Sequence, residues 1–86
     1  MMTIEIYTTR TCPFCIRAKQ LLDQKGASYK EIDVGADPAL RDKMTKRAGK
    51  RSVPQIFVGA THVGGCDDLY ALERSGKLDP LLKGAA

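Results

Sequence analysis

The chain has 86 residues, 43% of them hydrophobic and 28% charged, with three cysteines and a formal net charge of +4 at pH 7. That length gives one small domain and no second core. No apolar run approaches the ~20 residues needed to span a bilayer. The odd cysteine count, with Cys12 and Cys15 almost adjacent, argues against a structural disulfide framework.

The N-terminal "MMTIEIYT" has neither a basic n-region nor a long apolar stretch, so the sequence predicts no signal peptide and a cytoplasmic protein with reduced thiols. Within it, "TIEIYT" (3–8) alternates and predicts a strand with Ile4 and Ile6 on one face. Pro13 then suits the first turn of a helix, where its missing N–H costs nothing. Ala18, Leu21 and Leu22 recur at helical spacing, and Gly26 is the stop. "SYKEIDV" (28–34) predicts a second strand. Asp37 and Pro38 predict a second helix, as N-cap and first helical residue, with Leu40 and Met44 turned inward until Gly49.

"PQIFV" (54–58) and "THV" (61–63), joined by Gly59-Ala60, predict a hairpin. After Gly64-Gly65, the acidic Asp67-Asp68 mark a helix N-terminus, with Leu69 and Leu72 on the buried face up to Gly76. "LDPLL" (78–82) predicts a short closing helix. No repeat or linker interrupts this order. The β-α-β-α-β-β-α sequence implies an α/β fold in which a four-stranded mixed sheet is covered by helices, with a right-handed first crossover.

The chemistry concentrates at the first strand–helix junction. If the helix begins at Pro13, Cys12 is its N-cap, and its sulfur can accept the amides of Phe14 and Cys15. The helix dipole and Arg10 both favour a thiolate there. Such a sulfur gains most as a leaving group, which suits rapid hand-on of a thiol adduct. Cys15, one turn later, falls on the inward side near Ala18 and Leu22. It should be less exposed, with a higher pKa, as suits a resolving partner.

Cys12, Cys15, His62 and Cys66 also make a Cys₃His set on paper. The lack of a second C-x-x-C, the strand position of His62 and the helix-start role of Cys12 and Cys15 favour a redox dithiol over zinc. The basic run "RDKMTKRAGKR" (41–51) has no nucleic-acid-binding signature beside it. Lys43, Lys46, Arg47 and Lys50 read as a solvated face that steers acidic partners. Tyr7 and His62 read as ordinary packing and strand residues. Cys66 reads as a small residue fitted beside Gly65, with a regulatory thiol as the alternative.

"YT" followed by "CPFC", then "SVPQIF", then "GGCDDL", in this order and spacing, resemble the glutaredoxins. The likeness runs essentially end to end and is strongest to the short bacterial dithiol type of class 3. It implies a thioredoxin-like fold, one glutaredoxin domain over 1–86, and a glutathione-dependent thiol-disulfide oxidoreductase. Glutathione would be a co-substrate, with no tightly bound cofactor and no metal. The implied partners are glutathione and disulfide-containing or glutathionylated proteins, ribonucleotide reductase among the family-level candidates. Nucleic acid and membrane are not implied, and the default is a monomer.

By the same resemblance Cys12 is the nucleophile and Cys15 resolves protein disulfides. Pro54 matches a cis-proline that presents the Val53 backbone to glutathione like an added strand. Asp67 and the Cys66 and Asp67 amides match the γ-glutamyl end, and Arg41, Arg51 and Arg10 supply cations for the carboxylates. Three positions depart from the family pattern: Thr9 stands where Lys is frequent, Phe14 for Tyr, and Ser52 for Thr. Two other functions stay open. One is a redoxin served by a thioredoxin-type reductase, disfavoured because Arg41, Arg51 and Gly64-Gly65-Cys66-Asp67 would then have no anion to hold. The other is a dimer holding a [2Fe–2S] cluster with glutathione, disfavoured by Pro13.

Overall fold

The structure, a computed structural model, describes residues 3–85; of the single domain expected over 1–86, residues 1, 2 and 86 lie outside the described residues. Its elements are β1 (Ile4–Thr8), α1 (Pro13–Gln24), β2 (Lys30–Asp33), α2 (Pro38–Ala48), β3 (Gln55–Val58), β4 (Thr61–Gly64), α3 (Cys66–Arg74) and α4 (Leu78–Ala85). The strands form one sheet in the order β2-β1-β3-β4. β1 runs parallel to β2 and antiparallel to β3, and β3–β4 is the hairpin, with a register irregularity at Ile56/Phe57.

Strand alternation divides the core between the two faces of this sheet. Ile4, Ile6, Ile56 and Val58 pack with Ala18, Leu21 and Leu22 of α1, Cys66 and Leu69 of α3, and Leu78 and Leu82 of α4. Tyr7 and Phe57 turn the other way and pack with Val34, just past the end of β2, and with Met44 of α2. With both faces covered, β1 and β3 are buried along almost their whole length.

The predicted elements are recovered with shifted ends. β2 is shorter than the 28–34 expected; the Ala27 amide bonds back to the Leu22 carbonyl in the turn after α1, and past the strand's end the Val34 amide still reaches the Thr8 carbonyl at 2.9 Å. α4 runs beyond the expected 78–82. Leu72 is only half-buried, lying against the rim of the larger core. α2 carries a single fully buried residue, Met44. Its ends are held locally: the Asp37 carboxylate accepts the Leu40 amide at 3.2 Å, and Gly49 closes it in the left-handed region at φ 76°.

Candidate active site

Cys12 occupies the N-cap of α1 in an extended conformation, and its Sγ accepts the Cys15 N–H at 3.3 Å. The sequence predicted two amides, those of Phe14 and Cys15. The hydrogen bond found is to Cys15, the third helical residue, which a sulfur on its long C–S bond reaches naturally. On its other side the Cys12 thiol faces the Val53 carbonyl, 3.8 Å away across the sequence. The Val53–Pro54 peptide bond is cis.

Cys15 sits one turn deeper, 1% exposed and inside α1's apolar face. Burial pushes its thiol well above the ordinary range, and its contact with Cys12 adds to the rise; a Thr9 backbone hydrogen bond and the charge of Lys19 oppose it only in part. The pair therefore has an outer sulfur at a helix N-terminus and an inner one that keeps its proton.

Beside the pair lies a cleft of about 210 Å³ lined by Phe14, Lys50, the 52–55 segment and the 65–68 segment. The 52–55 segment brings the cis-proline loop. The 65–68 segment is the start of α3, where Gly65 is the N-cap and its N–H is accepted by Asp68 Oδ2 at 3.0 Å. The first amides of α3, including those of Cys66 and Asp67, have no acceptor within the helix, so this wall favours an anion.

Of the expected site residues, the structure brings Val53, Pro54, Cys66 and Asp67 together around this cleft. The three arginines lie off its walls. Arg10 is 91% exposed at the side chain and pairs with Asp33 at 3.4 Å, over a separate hollow formed with Thr9, Thr11, Gly35 and Ala36. Arg41 donates to the Arg51 backbone carbonyl, and Arg51 pairs with Asp42 at 3.2 Å. Both thus have partners inside the chain, Arg41 on a neutral carbonyl that leaves its charge uncompensated and Arg51 in an exposed ion pair.

Cys66 is buried at 5% exposure, and burial raises its thiol above the ordinary range, as fits a small residue packed beside Gly65. His62 is bound to Gln55, and among the described residues no three metal-ligating side chains converge.

Several lining residues stand outside the set of site residues that the sequence implies. Lys50 is the cation on the cleft wall, hidden in a run of like charges where only the fold distinguishes one member from the next. Phe14, one of two large hydrophobic side chains left exposed among the described residues, lies at the mouth. Gln55 is buried, and the sequence marks it only as a member of the predicted hairpin and of the SVPQIF motif. Asp68 caps α3; its signal, an acid three residues after Gly65, was present in the sequence.

Comparison with known proteins agrees with this geometry. The family model described as Glutaredoxin matches residues 4–63. The chain is 57% identical over 83 residues to Glutaredoxin 3 of Escherichia coli K12, covering 96% of this chain and all of that one. It is 58% identical over 82 residues to a glutaredoxin of Pseudomonas aeruginosa, covering 95% and 98%. Among solved structures, a solution structure of a Brucella melitensis glutaredoxin superposes with a TM-score of 0.87 at 57% identity, covering all of this chain and 94% of that one. A buckwheat glutaredoxin in complex with glutathione superposes with a TM-score of 0.90 at 33% identity, covering 98% and 79%. The chain belongs to the glutaredoxin family, and its Cys12–Cys15 dithiol is that of a short bacterial thiol-disulfide oxidoreductase.

Proposed function

We propose that the protein reduces glutathione mixed disulfides and protein disulfides in the cytoplasm, with glutathione as the electron donor. The observation that carries this reading is the placement of Cys12 Sγ between the α1 N-terminus and the Val53 carbonyl, beside a cleft that ends on the first turn of α3. Glutathione in that cleft would pair its cysteinyl backbone with Val53. Its γ-glutamyl carboxylate would meet the Cys66 and Asp67 amides, its ammonium the Asp67 carboxylate, and its glycine carboxylate Lys50. The buckwheat relative crystallised with glutathione supports the same class of ligand.

With a glutathionylated substrate, Cys12 thiolate attacks the glutathione sulfur. A Cys12–glutathione disulfide forms and the substrate thiolate leaves. A second glutathione thiolate then attacks the glutathione sulfur, which releases oxidised glutathione and returns Cys12 as thiolate. With a protein disulfide, Cys12 forms a mixed disulfide with one substrate sulfur and expels the other. Cys15 gives up its proton to the expelled substrate thiolate and attacks Cys12 Sγ, which breaks the mixed disulfide and releases the second substrate sulfur as thiolate. The reduced substrate leaves, and two glutathione molecules then reduce the Cys12–Cys15 disulfide.

A redoxin served by a thioredoxin-type reductase is the second reading. The contacts of Arg41 and Arg51 within the chain do not separate the two, whereas the first amides of α3 at Cys66 and Asp67 on the cleft wall favour an anionic co-substrate. Glutathione-dependent reduction of a glutathionylated peptide separates the two. The expected result is activity in wild type and Cys15→Ser and none in Cys12→Ser. A wild type that is inactive with glutathione but active with a thioredoxin-type reductase would replace the first reading by the second.

A further inference from the structure

His62 was expected to be an ordinary strand residue, yet it ends a hydrogen-bonded path into the cleft. Gln55 is 1% exposed and follows the cis-proline. Its Nε2 donates to the Ser52 carbonyl at 3.0 Å and to Ser52 Oγ at 3.3 Å. A carbonyl can only accept, so the amide nitrogen must face Ser52 and Oε1 must face the other way. There it meets His62 Nε2 at 2.7 Å. Nε2 must therefore carry a hydrogen, a condition met both by the matching neutral tautomer and by the imidazolium.

The imidazole is itself held in place. It lies opposite Phe57 in the β3–β4 register and stacks on that ring, with centroids 4.7 Å apart and planes 24° apart. Phe57 also carries the Arg47 guanidinium at 3.9 Å and the edge of Tyr7 at 5.9 Å. Arg47 in turn is anchored by Glu5 at 2.9 Å, the Tyr7 hydroxyl at 3.2 Å and the Gly59 carbonyl at 3.2 Å. A ring on an exposed edge strand is thus fixed from within the sheet, with its donor aimed at a buried acceptor.

We propose that His62 is a positioning residue of the glutathione cleft: through Gln55 it holds the Ser52–Val53–Pro54 loop at the distance from Cys12 that the substrate backbone requires. The inference rests on the reading of the cleft as the glutathione site. Without the His62 donor, Gln55 Oε1 is buried and unpaired, which is costly. The side chain then turns toward water, its amide leaves Ser52, and the Val53 carbonyl loses its fixed place opposite Cys12.

The test compares wild type, His62→Phe and His62→Gln. The first variant keeps a ring to stack on Phe57 but cannot donate; the second can donate. In turnover of a glutathionylated peptide well below the melting temperature, His62→Phe should raise KM about five- to tenfold with kcat within about twofold, the size of one lost hydrogen bond. His62→Gln should return KM toward wild type. In the reduced protein without glutathione, NMR should show His62→Phe shifting the Ser52 and Val53 amide signals and exposing the Gln55 side-chain amide protons to exchange. A structural role alone would lower the melting temperature and leave KM and these signals in place, and that result overturns the proposal. If wild type does not use glutathione at all, the proposed function fails, while the Gln55 and loop signals still decide whether His62 sets the loop.

Discussion

The guanidinium of Arg41 closes on the backbone carbonyl of Arg51, with Nε at 3.3 Å and Nη2 at 3.1 Å. One cation thereby fixes the backbone of another, at the start of the loop that leads to Val53. Arg41→Lys keeps the charge and loses the planar fork. It should lower stability by about 0.5–1.5 kcal/mol in urea unfolding. Because the acceptor is a neutral carbonyl, the loss should persist at high salt, unlike that of a surface ion pair. Equal stability of the two proteins would mean that the fork contributes nothing.

Cys15 keeps its proton because it is buried and adjacent to Cys12. Its folded-state pKa is raised, so the unfolded chain releases this proton first as pH climbs past the ordinary value of 9.0. The associated stability is present below that pH and is lost as pH rises through the folded-state value. Cys15→Ser should remove this part of the alkaline decline, read as urea unfolding of the reduced protein across alkaline pH. In the same reduced wild type at pH 8, mass spectrometry after brief iodoacetamide treatment should find the label on Cys12, with Cys15 and Cys66 labelled far more slowly. Rapid labelling of Cys15 would contradict its burial.

Glu31 shows the opposite sign. A hydrogen bond from Lys19 at 3.0 Å, and one from the Thr8 hydroxyl at 2.8 Å, hold its carboxyl below the ordinary value of 4.5. The stability this contributes is present above 4.5 and is lost as pH falls through the lower folded-state value. Glu31→Gln should be less stable than wild type at neutral pH, with the two stability curves converging in acid. The gap should be small, since the Glu31 side chain is 41% exposed and solvent screens the pair. Parallel curves throughout the acid range would show that the carboxylate is not the group responsible.

Gly64 ends β4 at φ +112°, and a Cβ there would run into the Asp68 carboxylate that caps the Gly65 amide. Gly64→Ala therefore meets both a disfavoured backbone conformation and a displaced cap. It should destabilise the protein by about 1–3 kcal/mol. Asp68→Ala, which loses the cap alone, should cost about 1 kcal/mol. Because α3 begins at the cleft, both variants should also raise KM for a glutathionylated peptide. A Gly64→Ala protein as stable as wild type would show that the α3 entrance adapts freely.

The local elements were legible because their signals are local. The alternation of Ile4 and Ile6, the Pro13 and Pro38 starts, the Asp37 cap and the Gly49 stop each act within a few residues, through backbone geometry that the tertiary structure does not rewrite. The Cys12 N-cap belongs with them, since a sulfur at a helix start finds the amide of Cys15 wherever the helix is placed. The identities and spacing in CPFC, SVPQIF and GGCDDL sufficed for the family.

What the tertiary structure decided depends on residues distant along the chain. It brought Val53 to Cys12, put Lys50 on the cleft wall, and gave Arg10, Arg41 and Arg51 partners within the chain. It also turned His62 toward Gln55 across the hairpin. A long charged side chain reaches whichever acceptor the fold leaves within range, and a strand residue meets whatever its neighbour's register puts opposite. Neither choice is encoded in the spacing of the residue's own neighbours, so both become readable only once the sheet is assembled.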